Sequence, residues 1–190
     1  AFYFWGDISP ELRAEELRKY CQKHITNRKN EERDLYRIFY YDCRPIEKKL
    51  YHPFLRKQID FEKSDIYLWT ERFFKELSSK RKFALRLGVL DAEYAHYNLK
   101  PPVLKKILDG KKNFSELTQS DFQLYGMSQK LVDMKIGIDI ATLAYQRLVD
   151  QIILISGDSD FVPASKLARI HGIDFILDNM RNPIKQNLFE

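Results

Sequence analysis

The spacing of apolar positions along this chain changes period several times, and the changes mark out its elements. Residues 151–156 (QIILIS) are a continuous apolar run without alternation, which predicts a strand covered on both faces. Phe161, Ala164, Leu167, Ala168 and His171 then recur at helical spacing, so strand, acidic turn and helix follow one another. Residues 1–5 (AFYFW) and 35–43 (LYRIFYYDC) are aromatic-rich and predict two further strands. Between them Ser9 reads as an N-cap with Pro10 at the first helical position. That helix should run to about residue 25, with Leu12, Leu17, Tyr20, Cys21 and His24 on its apolar side.

The second half continues the alternation. Ile66, Trp69, Phe73, Phe74 and Leu77 predict an amphipathic helix, and residues 83–90 another strand. Pro101-Pro102 breaks the chain ahead of a short helix over 103–108, and 113–125 reads as a β-like connection. Val132, Ile136, Ile140, Leu143 and Leu148 predict a helix over 130–149. Gly172 suits the residue after a helix end, and 173–177 is a last strand. Strands alternating with helices predict an α/β domain with a mainly parallel sheet. Residues 44–82, punctuated by Pro45 and Pro53, read as an inserted helical and basic arm of a single domain over 1–190. The abrupt close at 180–190 leads us to expect last elements beyond it.

Composition narrows the function classes. The chain is 44% hydrophobic with a net charge of +5, which fits a domain with a real core and polyanionic partners. No apolar run has the length of a membrane span, and no signal peptide is visible, so a cytoplasmic location is expected. Cys21 and Cys43 read as buried small residues in a reducing compartment, not as a disulfide. No GxGxxG follows a strand, which argues against dinucleotide binding.

The candidate chemistry is carboxylate chemistry. The turn 156–160 would present Asp158 and Asp160 at a strand's carboxyl end, where ligands bind in open α/β sheets. Two such carboxylates repel unless a cation joins them, and a divalent metal answers that. Asp160 taken alone reads more simply as a helix N-cap. Asp133, in the first turn of the 130–149 helix, joins the pair if that end opens on the same crevice. Asp139 lies about 120° further round the helix, which gives it a supporting or structural role. Ser156 is a turn-forming or water-positioning hydroxyl, because no base stands at triad-like spacing. Hard oxygen donors without a Cys or His set favour Mg²⁺ or Mn²⁺ over Zn²⁺. Lys80, Arg81, Lys82 and Arg86 form a basic patch for phosphates. Lys130 and Lys135 either hold phosphate or face solvent, and the basic-aromatic stretch 44–65 carries the same two readings.

The segment SGDSDFVP (156–163) resembles the signature of NYN domains, the LabA-like branch of the PIN-like nuclease superfamily. Gln129-Lys130, Val132-Asp133 and Lys135, with Asp139 six residues after Asp133, match the family's QK-x-VD-x-K segment in the right order. The likeness spans about residues 36–176. It implies a three-layer, PIN-like (Rossmann-like) fold and a metal-dependent endonuclease, most readily a ribonuclease, with Asp133, Asp158 and Asp160 as catalytic metal ligands. The family's D-G-x-N at the first strand end is replaced here: with the glycines aligned, Trp5 stands in the Asp place and Ile8 in the Asn place. Asp7 is the carboxylate left to serve there. That departure keeps open a catalytically weakened RNA-binding module. A small-substrate phosphohydrolase is the third reading, and the long basic arm argues against it.

Overall fold

The computed structural model describes residues 8–26 and 33–180. The expected first strand, with Trp5 and Asp7, lies outside them. Helix α1 (Pro10–Thr26) starts as its sequence dictates, with the Leu12 amide 3.3 Å from the Ser9 hydroxyl. Its buried stripe is set by Ala14, which is fully buried. Leu12, expected on that side, is 61% exposed because it stands about 200° from Ala14.

Strand β1 (Ile38–Cys43) leads through the hairpin β2 (Lys49–His52) and β3 (Lys57–Asp60) into helix α2 (Asp65–Ser79). Ser64 caps α2, taking the Tyr67 amide at 3.2 Å. β4 (Phe83–Asp91) then pairs in parallel with β1, Tyr41 opposite Arg86. α2 is therefore the crossover between two parallel strands and lies in the core rather than on an arm. Phe73, Phe74 and Leu77 pack with Ala14 of α1 and with Tyr40, Leu85 and Leu87 of the strands.

The chain next builds β5 (His96–Leu99), α3 (Pro101–Leu108) and β6 (Phe122–Tyr125), with β5 and β6 antiparallel. Pro101 and Pro102 stand inside α3 at its first positions, where a missing amide hydrogen is harmless. His52, 2% exposed, sits 4.3 Å from the Tyr97 ring and 5.6 Å from Phe122, so the hairpin and the β5–β6 pair share one aromatic core.

β7 (Ser128–Lys130) returns antiparallel to the end of β4 and opens α4 (Val132–Tyr145) through Leu131 at φ 70°. Lys130, expected as the first residue of that helix, is the last residue of β7; the left-handed turn at Leu131 separates it from α4. β8 (Gln151–Ile155), α5 (Val162–Ile170) and β9 (Asp174–Asp178) close the described chain, with β8 and β9 parallel.

Strand side chains alternate between two helical layers. Tyr40, Leu85 and Leu87 face α1 and α2. Tyr41, Ile152, Leu154 and Phe175 face Ile136, Ile140, Ala144 and Ala168 of α4 and α5. The protein is a mixed α/β structure of five α-helices, with a three-stranded mixed sheet β1-β4-β7 and a parallel pair β8-β9 among the described residues.

Candidate active site

α4 starts where β4 ends and runs down to the beginning of β8, which climbs back to the same end. The carboxyl ends of β1, β4, β8 and β9 therefore gather with the amino terminus of α4. Both long excursions, residues 44–64 and 92–127, leave from this end. They carry 11 Lys and Arg against 7 Asp and Glu, a balance of +4 out of the chain's +5. A cationic lobe thus stands at the acidic end of the sheet.

The start of α4 is fixed by close approach to β4. A Cβ on Gly88 would lie 2.5 Å from the Lys130 carbonyl oxygen and 2.6 Å from Val132 Cγ2. Lys135 reaches back to donate to the Leu87 carbonyl at 2.6 Å. Asp133, in that first turn, is exposed. It acts with Asp42 on the Cys43 thiol, which burial pushes up first and the two carboxylates push further. Asp133 and the end of β1 are therefore neighbours.

The acidic turn is held from within. The Asp158 amide donates to the Ser156 hydroxyl at 3.2 Å, and the Asp160 amide to Asp158 Oδ1 at 3.1 Å. Residues 159–161 form a 3₁₀ turn whose Phe161, 6% exposed, packs among Ile136 and Ile140 of α4. The N-cap of α5 is Phe161, so Asp160 does not cap that helix. Asp158 and Asp160 are exposed and, like Asp133, have no cationic partner among the described residues. Nor do any three His, Cys, Asp or Glu of the described residues stand close enough together to hold a metal ion. The donors suit a hard divalent cation in chemistry, but the described ones do not converge into a ready ligand shell. Asp7 lies outside the described residues.

Other expected residues are placed differently. Asp139 Oδ2 accepts the Tyr41 hydroxyl at 2.8 Å and Arg86 Nε at 2.9 Å, which makes it a tie between α4, β1 and β4. Arg86 is consumed there and lies 5.1 Å over the Phe39 ring. Lys80 pairs with Glu15 at 3.3 Å, and Lys82 donates to the Leu35 carbonyl. With Arg81 they precede β4, at the opposite end of the strand from Asp91. Residues 80–82 and Arg86 therefore form no common patch at the acidic end, because strand direction carries their sequence cluster away from it. Lys130 pairs with Asp91.

Two carboxylates at the strand ends carry more than the sequence showed. Asp42 accepts the Cys43 amide at 2.8 Å and the Tyr40 hydroxyl at 3.0 Å, and burial pushes its pKa up against both bonds. Asp178, at the end of β9, accepts the Tyr20 hydroxyl and stands 3.0 Å from His24 Nε2. Burial raises it, but those bonds and the Met180 amide outweigh burial and hold it low. Asp178 is the last residue of β9 and Asp42 the last but one of β1, and that placement was the available signal; their partners were not visible in sequence.

No described helix is long and apolar enough to cross a membrane. No curated protein and no solved structure matches the chain. The NYN domain family model matches residues 57–183, more than half of the chain, and takes in α2, β4, the QK-x-VD-x-K segment and the SGDSDF turn. NYN domains are PIN-like nuclease domains that typically use divalent metals. The chain belongs to the NYN domain family.

Proposed function

We propose that this protein is a metal-dependent endonuclease that hydrolyses phosphodiester bonds in RNA. One observation carries the reading: Asp133, Asp158 and Asp160 are exposed at one end of the strands with no cationic partner among the described residues, at the end where the lobe holds most of the net positive charge. Those three, with Asp7 as a fourth, would hold Mg²⁺ or Mn²⁺. When bound, such an ion lowers the pKa of a coordinated water and offsets charge on the scissile phosphate. Ser156 holds the turn that carries Asp158. The lobe's lysines and arginines attract the substrate backbone, with Lys130 and Lys135 beside the acids. In the fold this implies, both parallel pairs belong to one three-layer PIN-like sheet. The free thiols Cys21 and Cys43 fit a reducing cytoplasm.

A second reading, an RNA-binding module that does not cut, is favoured by the absence of a three-donor group among the described residues. One experiment separates the two. Labelled single-stranded RNA and DNA are incubated with Mn²⁺, Mg²⁺ or EDTA, using wild type and Asp158→Asn. Metal-dependent RNA cleavage that the variant loses by at least about a hundredfold supports the nuclease. Binding without cleavage in wild type supports the module. Equal cleavage by both proteins refutes the carboxylate assignment.

A further inference from the structure

α4 carries apolar residues on its outer side as well as on its inner one. Its inner stripe is Ile136, Ile140 and Ala144, in the core against α5 and the strands. Between Asp133 and Arg147 the helix carries two charged residues, and both turn inward. Lys135 goes to the Leu87 carbonyl, and Asp139 goes to Tyr41 and Arg86. The outer stripe is left without charge: Met134 is 61% exposed, Ile138 57% and Tyr145 77%, with Ala141 between them. Ile170 of α5, 81% exposed, and Leu148 border it.

We infer that this face is where two copies of the chain join, their α4 helices crossing antiparallel about a two-fold axis. The stripe 134, 138, 141, 145 has spacings of four, three and four, which read the same in both directions. A copy turned by the two-fold sets Ile138 against the small Ala141 of the second copy and Met134 against its Tyr145. A self-complementary patch is what an isologous interface requires. Antiparallel helices also set opposite dipole ends beside each other.

The size fits as well. Met134, Ile138, Tyr145, Leu148 and Ile170 expose roughly 650 Å² per copy, taking ordinary residue areas. A standard interface buries about 800 Å² per partner, about 65% of it apolar in homodimers, hence about 520 Å². Met and Tyr at a charge-free centre match the composition of such cores. This inference does not rest on the nuclease reading.

The test is sedimentation velocity from about 1 to about 100 µM, with circular dichroism as the folding control. Wild type should reach twice the 22.7 kDa chain mass. Ile138→Glu and Tyr145→Arg should each weaken association at least tenfold with unchanged helix content. Tyr145 decides the matter should Ile138→Glu unfold, because it is 77% exposed and meets the His171 ring edge-on. An Ile138→Cys/Ala141→Cys variant should cross-link between copies under mild oxidation, with wild type as the control for Cys21 and Cys43. A wild type at the monomer mass throughout overturns the inference. So does a dimer that both charged variants retain, or one in which the cysteine pair fails to link.

Discussion

Replacing Asp139 by Ala separates a structural tie from a metal ligand. The carboxylate accepts Arg86 Nε at 2.9 Å and the Tyr41 hydroxyl at 2.8 Å, joining α4 to β4 and β1. A hydrogen bond to a charged group contributes about 1.5–3 kcal/mol, but the Arg86 side chain is 39% exposed, so screening reduces its share to about 1 kcal/mol. The Tyr41 hydroxyl loses its acceptor in a half-buried place, which costs about 1–2 kcal/mol. The sum is about 2–3 kcal/mol. At roughly 2–4 °C per kcal/mol for a chain of this size, the melting temperature should fall by about 5–10 °C.

Thermal melts of Asp139→Ala, Arg86→Ala and the double variant close a cycle. The coupling energy should be about 1 kcal/mol. Mn²⁺ affinity by calorimetry should stay within about threefold of wild type when measured well below the melting temperature. A variant that melts within about 1 °C of wild type, with no coupling to Arg86, refutes the tie. A tenfold loss of Mn²⁺ affinity without loss of stability makes Asp139 a ligand instead.

Three further outcomes follow from the same geometry. Gly88→Ala should destabilise by about 1–3 kcal/mol and lower any cleavage rate further than unfolding explains, because its methyl meets the Lys130 carbonyl and displaces the first turn of α4; activity measured on fully folded protein checks this. Asp42 has a folded pKa raised by burial, so the stability tied to its proton is full below the ordinary carboxylate range and lost as pH rises through the raised value. Melts of wild type and Asp42→Asn at about pH 3 and about pH 7 should show the variant gaining ground at the higher pH. Reversing Lys80, Arg81 and Lys82 together should leave RNA affinity within about twofold across a salt series, since they stand away from the acidic end, and a flattened slope contradicts that placement.

The elements with strong internal period were legible in the sequence. The run 151–155, the stripe from Phe73 to Leu77 and the capped start at Ser9 fold where their spacing places them, because each carries its own burial pattern. β7 was not legible. Ser128, Gln129 and Lys130 are exposed and polar, and they are a strand only because the end of β4 lies beside them. Arg86 and the residues 80–82 look like one patch in sequence, yet Arg86 is drawn to an aspartate 53 positions away. Asp178 ends β9, but partners more than 150 residues distant already use its Oδ2. In each case the deciding contact is long-range, and local pattern carries no record of it.

α4 shows why the acids at the site are unequal. Asp133 stands on a helix start pinned by the close packing at Gly88, by Lys135 on the Leu87 carbonyl and, one turn on, by Asp139. The turn with Asp158 and Asp160 is anchored by Phe161 and two local hydrogen bonds, while Gly157 has open space where a Cβ would be. Moving Asp133 disturbs two strands; moving Asp158 disturbs a turn. Any closing of the distance between them therefore falls to residues 156–160. Gly157 leaves that turn room to shift without taking the core with it.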